Sequence, residues 1–166
     1  MTTGMERLWA PWRSEYFARL NRPGCIFCRA RQGRKDRAAH VLFRGRRVFC
    51  LLNRYPYNTG HLMVAVNRHA GDLARLTAAE QTELMQTTAR MVGVLRRVFK
   101  PQGFNVGLNL GYPAGAGIPG HVHMHVVPRW TGDTNFMPVL AHTKVMSLSL
   151  DAVYDRLRSS LRRSRP

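Results

Sequence analysis

The sequence predicts an α+β fold: a mainly antiparallel five-stranded sheet with one long helix and one C-terminal helix. Three observations carry this expectation. Five short β-rich runs are joined by short turns. Thr77-Ala78-Ala79-Glu80 has the spacing of a capping box and opens a long stretch with one apolar face. Near the C-terminus, Val153, Leu157 and Leu161 repeat every four residues. Strands outnumber helices, which is the pattern of an α+β domain.

The elements follow in chain order. Residues 5–13 contain Trp9 and Trp12, an arm that packs on its own domain or on a partner. Residues 29–39 are polar and basic and read as a loop or short helix. The runs 41–43 and 48–52 flank Gly45 and predict a hairpin. Residues 53–60, with Pro56, form a turn-rich connection into a strand over 61–66. The long helix runs from Thr77 to about Phe99, with Leu84, Met91, Leu95 and Val98 on one face, and Pro101 and Gly103 end it. Strands are expected over 104–110 and 122–127, with a glycine-rich loop over 111–120 between them. The last helix covers about 150–163.

With 166 residues, 45% of them hydrophobic, the chain fits one domain over 1–166, with an N-terminal arm of about 1–24. No run approaches the roughly 18 apolar residues of a membrane span. No charged-then-apolar leader opens the chain, so a cytoplasmic protein is expected. Three cysteines are too few for a disulfide framework. Cys50, among Val48, Phe49, Leu51 and Leu52, reads as a buried structural thiol. The net charge of +17 attracts polyanions generally. Arginines on solvated faces explain it better than a nucleic-acid surface, because no zinc-finger spacing, RNP motif or basic-leucine pattern accompanies it.

His121-Val122-His123-Met124-His125 carries the chemistry. Alternate residues of a strand share one face, about 6.6–6.8 Å apart. The three histidines would therefore point one way, and Val122, Met124 and Val126 into a core. Each imidazole brings nitrogens that need partners, so plain core filling is disfavoured. Metal binding, phosphate binding and covalent chemistry remain. The preceding loop, Ala114-Gly115-Ala116-Gly117-Ile118-Pro119-Gly120, lets the backbone approach an anion closely. A glycine loop abutting face-aligned histidines reads as a phosphate site holding a nucleophile. His40 and His142 show no partners and read as surface residues.

Gly107-Leu108-Asn109-Leu110-Gly111, the loop, and His-x-His-x-His followed by Val126-Val127-Pro128-Arg129 together resemble the histidine-triad superfamily. The likeness extends over residues 52–64, the opening 7–13 and the stretch 129–138, about 5–157 in all. In these outer stretches the chain is similar to a bacterial branch of diadenosine tetraphosphate phosphorylases. The resemblance implies an enzyme that cleaves dinucleoside polyphosphates through a nucleotidyl–histidine intermediate. It casts His123 as nucleophile, His125 as a donor to a phosphate or leaving-group oxygen, and His121 as the residue holding that geometry or a metal. It places Asn53 near the ribose, Asn109 near the attacked phosphate, and the N–H groups of Gly115, Ala116 and Gly117 against transition-state charge. His61 matches a family position and reads as a structural histidine at a strand start. Phosphorylases of this type tend to carry a hydroxyl residue where this chain has Gly117. Phosphorolysis and hydrolysis therefore both stay open. A nucleotide- or RNA-binding module with little catalysis is the alternative.

Cys25-Ile26-Phe27-Cys28 has zinc-ligand spacing, which by itself is half a site. In bacterial relatives such a pair is completed by histidines matching His69 and His121. The resemblance thus implies a structural zinc. It also implies a homodimer, paired through the strand 104–110 and the helix from Thr77.

Overall fold

The computed structural model describes residues 24–138 and 145–163. The Trp9/Trp12 arm and His142 lie outside the described residues. A short helix, α1 (Ile26–Gln32), is followed by β1 (Val41–Arg44), β2 (Val48–Leu52) and β3 (Leu62–Val66). The long helix α2 (Ala78–Phe99), β4 (Gly103–Gly107), β5 (His123–Arg129) and α3 (Leu150–Arg163) complete the order. The five strands form one sheet, β1-β2-β3-β5-β4, with every neighbouring pair antiparallel.

The register sorts side chains onto two faces. Cys50, Val64 and Met124 lie across from one another, as do Phe49, Ala65 and His123, and Leu51, Met63 and His125. The first row faces α2 and α3 and forms the main core with Leu84, Met91, Leu95, Val153, Leu157 and Leu161. The other two rows face α1, where Phe27 and Ala30 pack with Phe49, Leu51, Met63 and Ala65. The histidines therefore sit on the face covered by α1, away from the long helices. Cys50 is fully buried, and burial pushes its thiol far above the ordinary range.

The capping box at Thr77 forms: the Glu80 N–H donates to Thr77 Oγ1 and the Thr77 N–H to Glu80 Oε2. Lys100, in the left-handed conformation, ends the helix just before Pro101.

Several expectations shift. Of the polar stretch 29–39, residues 29–32 belong to a short helix that begins at Ile26, earlier than the charge pattern indicated, and 33–39 are turn and irregular backbone. The fourth strand ends at Gly107, not residue 110, because the chain turns into the glycine-rich loop. The fifth begins at His123, so His121 precedes it. There the His121 N–H donates to Ile118 O in a turn, and the Val122 N–H to Ala70 O. His40 is not a partnerless surface residue. Its Nε2 lies 3.3 Å from Asp151 Oδ1, and its ring meets Tyr154 edge-on.

Candidate active site

His121, His123 and His61 are buried, and His125 is half-buried. Their burial is compatible with their polarity because each finds hydrogen-bond partners, and those partners fix where every proton sits. His121 Nε2 lies 2.7 Å from Val66 O. A carbonyl only accepts, so Nε2 carries the proton and Nδ1 keeps its lone pair. His123 Nδ1 lies 2.7 Å from the backbone oxygen of His121. By the same logic His123 Nδ1 is the donor and Nε2 holds the lone pair.

His61 completes the pattern. The Tyr57 N–H donates to His61 Nδ1 at 3.0 Å, so His61 Nε2 carries the proton. That proton is directed at His125 Nδ1, 3.0 Å away. His125 is thereby held with its proton on Nε2. The sequence reading left His61 as a structural histidine. The structure bonds it to the last histidine of the run, and that contact became visible only once β3 and β5 were paired, with Met63 opposite His125 and His61 just before β3.

Burial, followed by the positive charge that neighbouring histidines would carry, lowers the pKa of His125 to about 4 and of His61 to about 3. Burial also lowers His123 and His121, against the opposing effect of their carbonyl hydrogen bonds. All four are neutral at pH 7. The Phe27 ring, delivered by α1, lies 4.5 Å from the His123 ring centroid and shields it from water.

Two cavities meet at His125. The first, about 720 Å³, lies between α1 and the sheet; Phe27, Asn53, Gly117, His123 and His125 are among its walls. The second, about 550 Å³, lies toward β4 and is lined by Tyr57, Gly107, Asn109, His125 and Thr134 among others. The expected binding residues divide between them. Asn53 and Gly115 line the first, Asn109 the second, and Ala116 is buried within the loop. Asn53 Oδ1 accepts the Tyr55 N–H, and Asn109 Nδ2 donates to Gly115 O. The Gly115 and Ala116 N–H groups are already bonded, to Tyr112 O and Gly111 O. Those two shape the loop in this structure and do not point at an anion as expected.

Beside His121 lies a third feature. Cys25, Cys28, His69 and His121 bring one donor atom each to within 4.8 Å of one another. Cys25 Sγ is 3.3 Å and Cys28 Sγ 3.7 Å from His121 Nδ1, and Cys28 Sγ is 3.4 Å from His69 Nδ1. A tetrahedral zinc with these ligand types has edges of about 3.3–3.8 Å, as its bond lengths of roughly 2.0–2.3 Å require. The donor set fits such an ion, and the His121 nitrogen facing it is the one left unprotonated.

The HIT domain family profile matches residues 34–132. The chain belongs to the HIT family. It is 42% identical over 151 residues to the AP-4-A phosphorylase of Mycobacterium tuberculosis, covering 86% of this chain and 77% of that protein. It is 32% identical over 95 residues to the bis(5'-nucleosyl)-tetraphosphatase (asymmetrical) of Schizosaccharomyces pombe, covering 57% of this chain and 52% of that one. Among solved structures, a zinc-bound histidine triad family protein from Mycobacterium smegmatis superposes with a TM-score of 0.67 at 21% identity. That match covers 84% of this chain and 94% of that one, and it shows the shared HIT fold. No helix among the described residues is long and apolar enough to cross a membrane.

Proposed function

We propose that this HIT-family enzyme cleaves dinucleoside polyphosphates through a nucleotidyl–histidine intermediate on His123. One observation carries the reading: the His123 Nδ1–H···O=C bond to His121 leaves an unprotonated Nε2 at the edge of a nucleotide-sized cavity. Similarity to an AP-4-A phosphorylase and to a bis(5'-nucleosyl)-tetraphosphatase supports the substrate class.

The residues act in sequence. The nucleoside enters the first cavity with its α-phosphate at His123. The Nε2 lone pair attacks phosphorus, and an N–P bond forms as the P–O bond to the leaving polyphosphate breaks. The electron pair leaves on that oxygen, as the anion of a nucleoside polyphosphate, which accepts a hydrogen bond from His125 Nε2–H. His61 donates to His125 Nδ1 and so keeps that N–H donor on the correct nitrogen. Gly117 and His123 both line this cavity, and the Gly117 N–H is the remaining one of the three expected donors for charge building on the phosphoryl oxygens. Phosphate or water then attacks the phosphorus, the N–P bond breaks to restore His123, and any proton on the attacking oxygen passes to solvent.

The Cys25, Cys28, His69 and His121 set would hold a structural zinc, with all four positions filled by protein and none open for catalysis. The zinc named with the M. smegmatis relative supports that choice of metal. Its part would be to hold His121, whose carbonyl orients His123. Three free cysteines accord with a cytoplasmic setting, and exposed Val106 and Met85 with a homodimer through β4 and α2.

Mass spectrometry of protein quenched during turnover of diadenosine tetraphosphate tests the mechanism. A nucleotidyl adduct on His123, absent from His123→Asn, is expected. An unmodified His123 in turning-over enzyme overturns it. Products assign the acceptor: ADP plus ATP only with phosphate means phosphorolysis, and AMP plus ATP without phosphate means hydrolysis.

A further inference from the structure

A dinucleoside polyphosphate has two nucleosides, and the first cavity accounts for one. We propose that the second cavity is the subsite for the departing half, a nucleoside polyphosphate whose base rests against the Tyr57 ring. This rests on the catalytic reading above and extends it to what distinguishes a dinucleotide from a single nucleotide.

Position is the first argument. His125 forms part of both walls, so a leaving group hydrogen-bonded to its Nε2 starts at the mouth of the second cavity. The volume of about 550 Å³ falls within the roughly 300–1,000 Å³ typical of small-molecule sites. Its walls suit the cargo. Asn109 and Thr134 offer amide and hydroxyl groups to phosphate oxygens. Arg129 and Asp133, both in the wall, are paired with each other, and Asn105 also holds Arg129, so the pair adds no net charge to the cavity.

Gly107 is the second, independent argument. It ends β4 directly across from His125. Its backbone lies outside the left-handed region, and a Cβ built there meets nothing within 4 Å. Neither the backbone nor packing therefore requires glycine. Directly paired residues of antiparallel strands point to the same face. A side chain at 107 would thus project beside His125, into the second cavity. A strand glycine without conformational need marks a close approach by a ligand or another backbone.

Tyr57, which lines both cavities where they meet, supplies the third. It is 52% exposed, yet its position is fixed. Its N–H is bonded to His61, it follows Pro56, and its ring lies within 22° of parallel to that of His125, centroids 6.1 Å apart. An exposed aromatic ring on an anchored loop is a stacking platform for a nucleobase, worth about 1–3 kcal/mol per base where such stacking has been measured on single strands.

The test fills the cavity without touching the nucleophile. Gly107→Leu and, from the exposed rim, Thr134→Trp are compared with the unsubstituted protein. Equilibrium binding of AMP and of diadenosine tetraphosphate is measured, with light scattering and circular dichroism on each variant. Turnover is measured on diadenosine tetraphosphate and on adenosine 5'-phosphorofluoridate, whose leaving group is a single fluoride. The expected result is at least a tenfold loss of affinity and of kcat/KM for the dinucleotide in both variants, with AMP affinity and fluoridate turnover within twofold. Unchanged dinucleotide binding in folded variants, or parallel loss of AMP binding, overturns the subsite. If the unsubstituted protein turns over neither substrate, the catalytic reading fails, while the two binding constants still decide the subsite.

Discussion

At the scale of residues, the site works by assigning protons. Four neutral imidazoles could adopt many tautomer combinations, and only some leave a lone pair on His123 Nε2 and a proton on His125 Nε2. Val66 O, His121 O and the Tyr57 N–H select that combination. Burial then keeps the rings neutral, and this has a cost in acid. His61 and His125 have folded pKa values of about 3 and about 4, below the usual histidine value near 6.5. On acidification the unfolded chain takes up these protons first. Stability from these groups is therefore complete above about pH 6.5 and falls as pH drops from there toward 4. Urea midpoints measured from pH 7.5 to 4.5 should decline across this window, and His61→Gln should flatten the decline. An equal slope in the variant would refute the assignment. The same variant should also lower kcat, because a glutamine cannot hold His125 in its tautomer as well. An effect of roughly tenfold is expected, smaller than the roughly 10²–10⁴ that removing a catalytic proton donor or acceptor outright typically costs.

At the scale of elements, α2 depends on its start. Thr77 and Glu80 satisfy each other's backbone donors, and Arg68 adds an ion pair that, with the Thr77 N–H, holds the Glu80 carboxyl at about 2. Thr77→Ala should cost about 1 kcal/mol, the usual worth of such a cap, read as a lower urea midpoint with unchanged slope. A shift of a few tenths or less would mean the tertiary packing of α2 holds the end without the box. This element was legible in the sequence because its signals are local: cap, stripe and stop all lie within one stretch. So were the hairpin about Gly45 and the α3 stripe of Val153, Leu157 and Leu161. The start of α1 was not legible, because Cys25 caps it without a side-chain hydrogen bond and its Phe27 anchor is a tertiary contact. The displacement of His121 from β5 was hidden for the same reason. Alternation in the sequence extends through residue 121, whereas the turn from Ile118 and the bond to Val66 are decided by distant chain. Metal removal tests the α1 contact directly. In the proposed zinc site, Cys25 and Cys28 would tie α1 to His69 and His121. Chelation should speed tryptic cleavage at Arg29, Arg31 and Arg34 several-fold. Unchanged cleavage would mean packing of Phe27 alone holds the helix.

At the scale of the whole molecule, the sheet has two edges that are treated differently. The β1 edge is occupied: the Val41 N–H donates to Asp36 O, and Arg158 donates to Leu42 O. β4, of sequence Gly-Phe-Asn-Val-Gly, carries neither lysine nor proline, and Val106 on it is 46% exposed. Exposed edges lacking such protection pair with other strands. In the homodimer proposed above, a second copy of this chain would supply one, extending the sheet across a two-fold axis. Charge opposes that pairing, since each copy carries +17. The Debye length is about 10 Å at 0.1 M salt, so added salt screens the repulsion between the copies while leaving apolar contact at the edge intact. The dimer should therefore tighten as salt rises from about 0.05 to 0.3 M. Association of a polyanion with the same arginines would weaken over that range. Val106→Lys places a charge on the edge and should shift the equilibrium toward monomer by tenfold or more. Light scattering at micromolar concentration across the salt series reads both effects. A monomer at every salt concentration, or a dimer indifferent to Val106→Lys, would rule out β4 as the pairing edge.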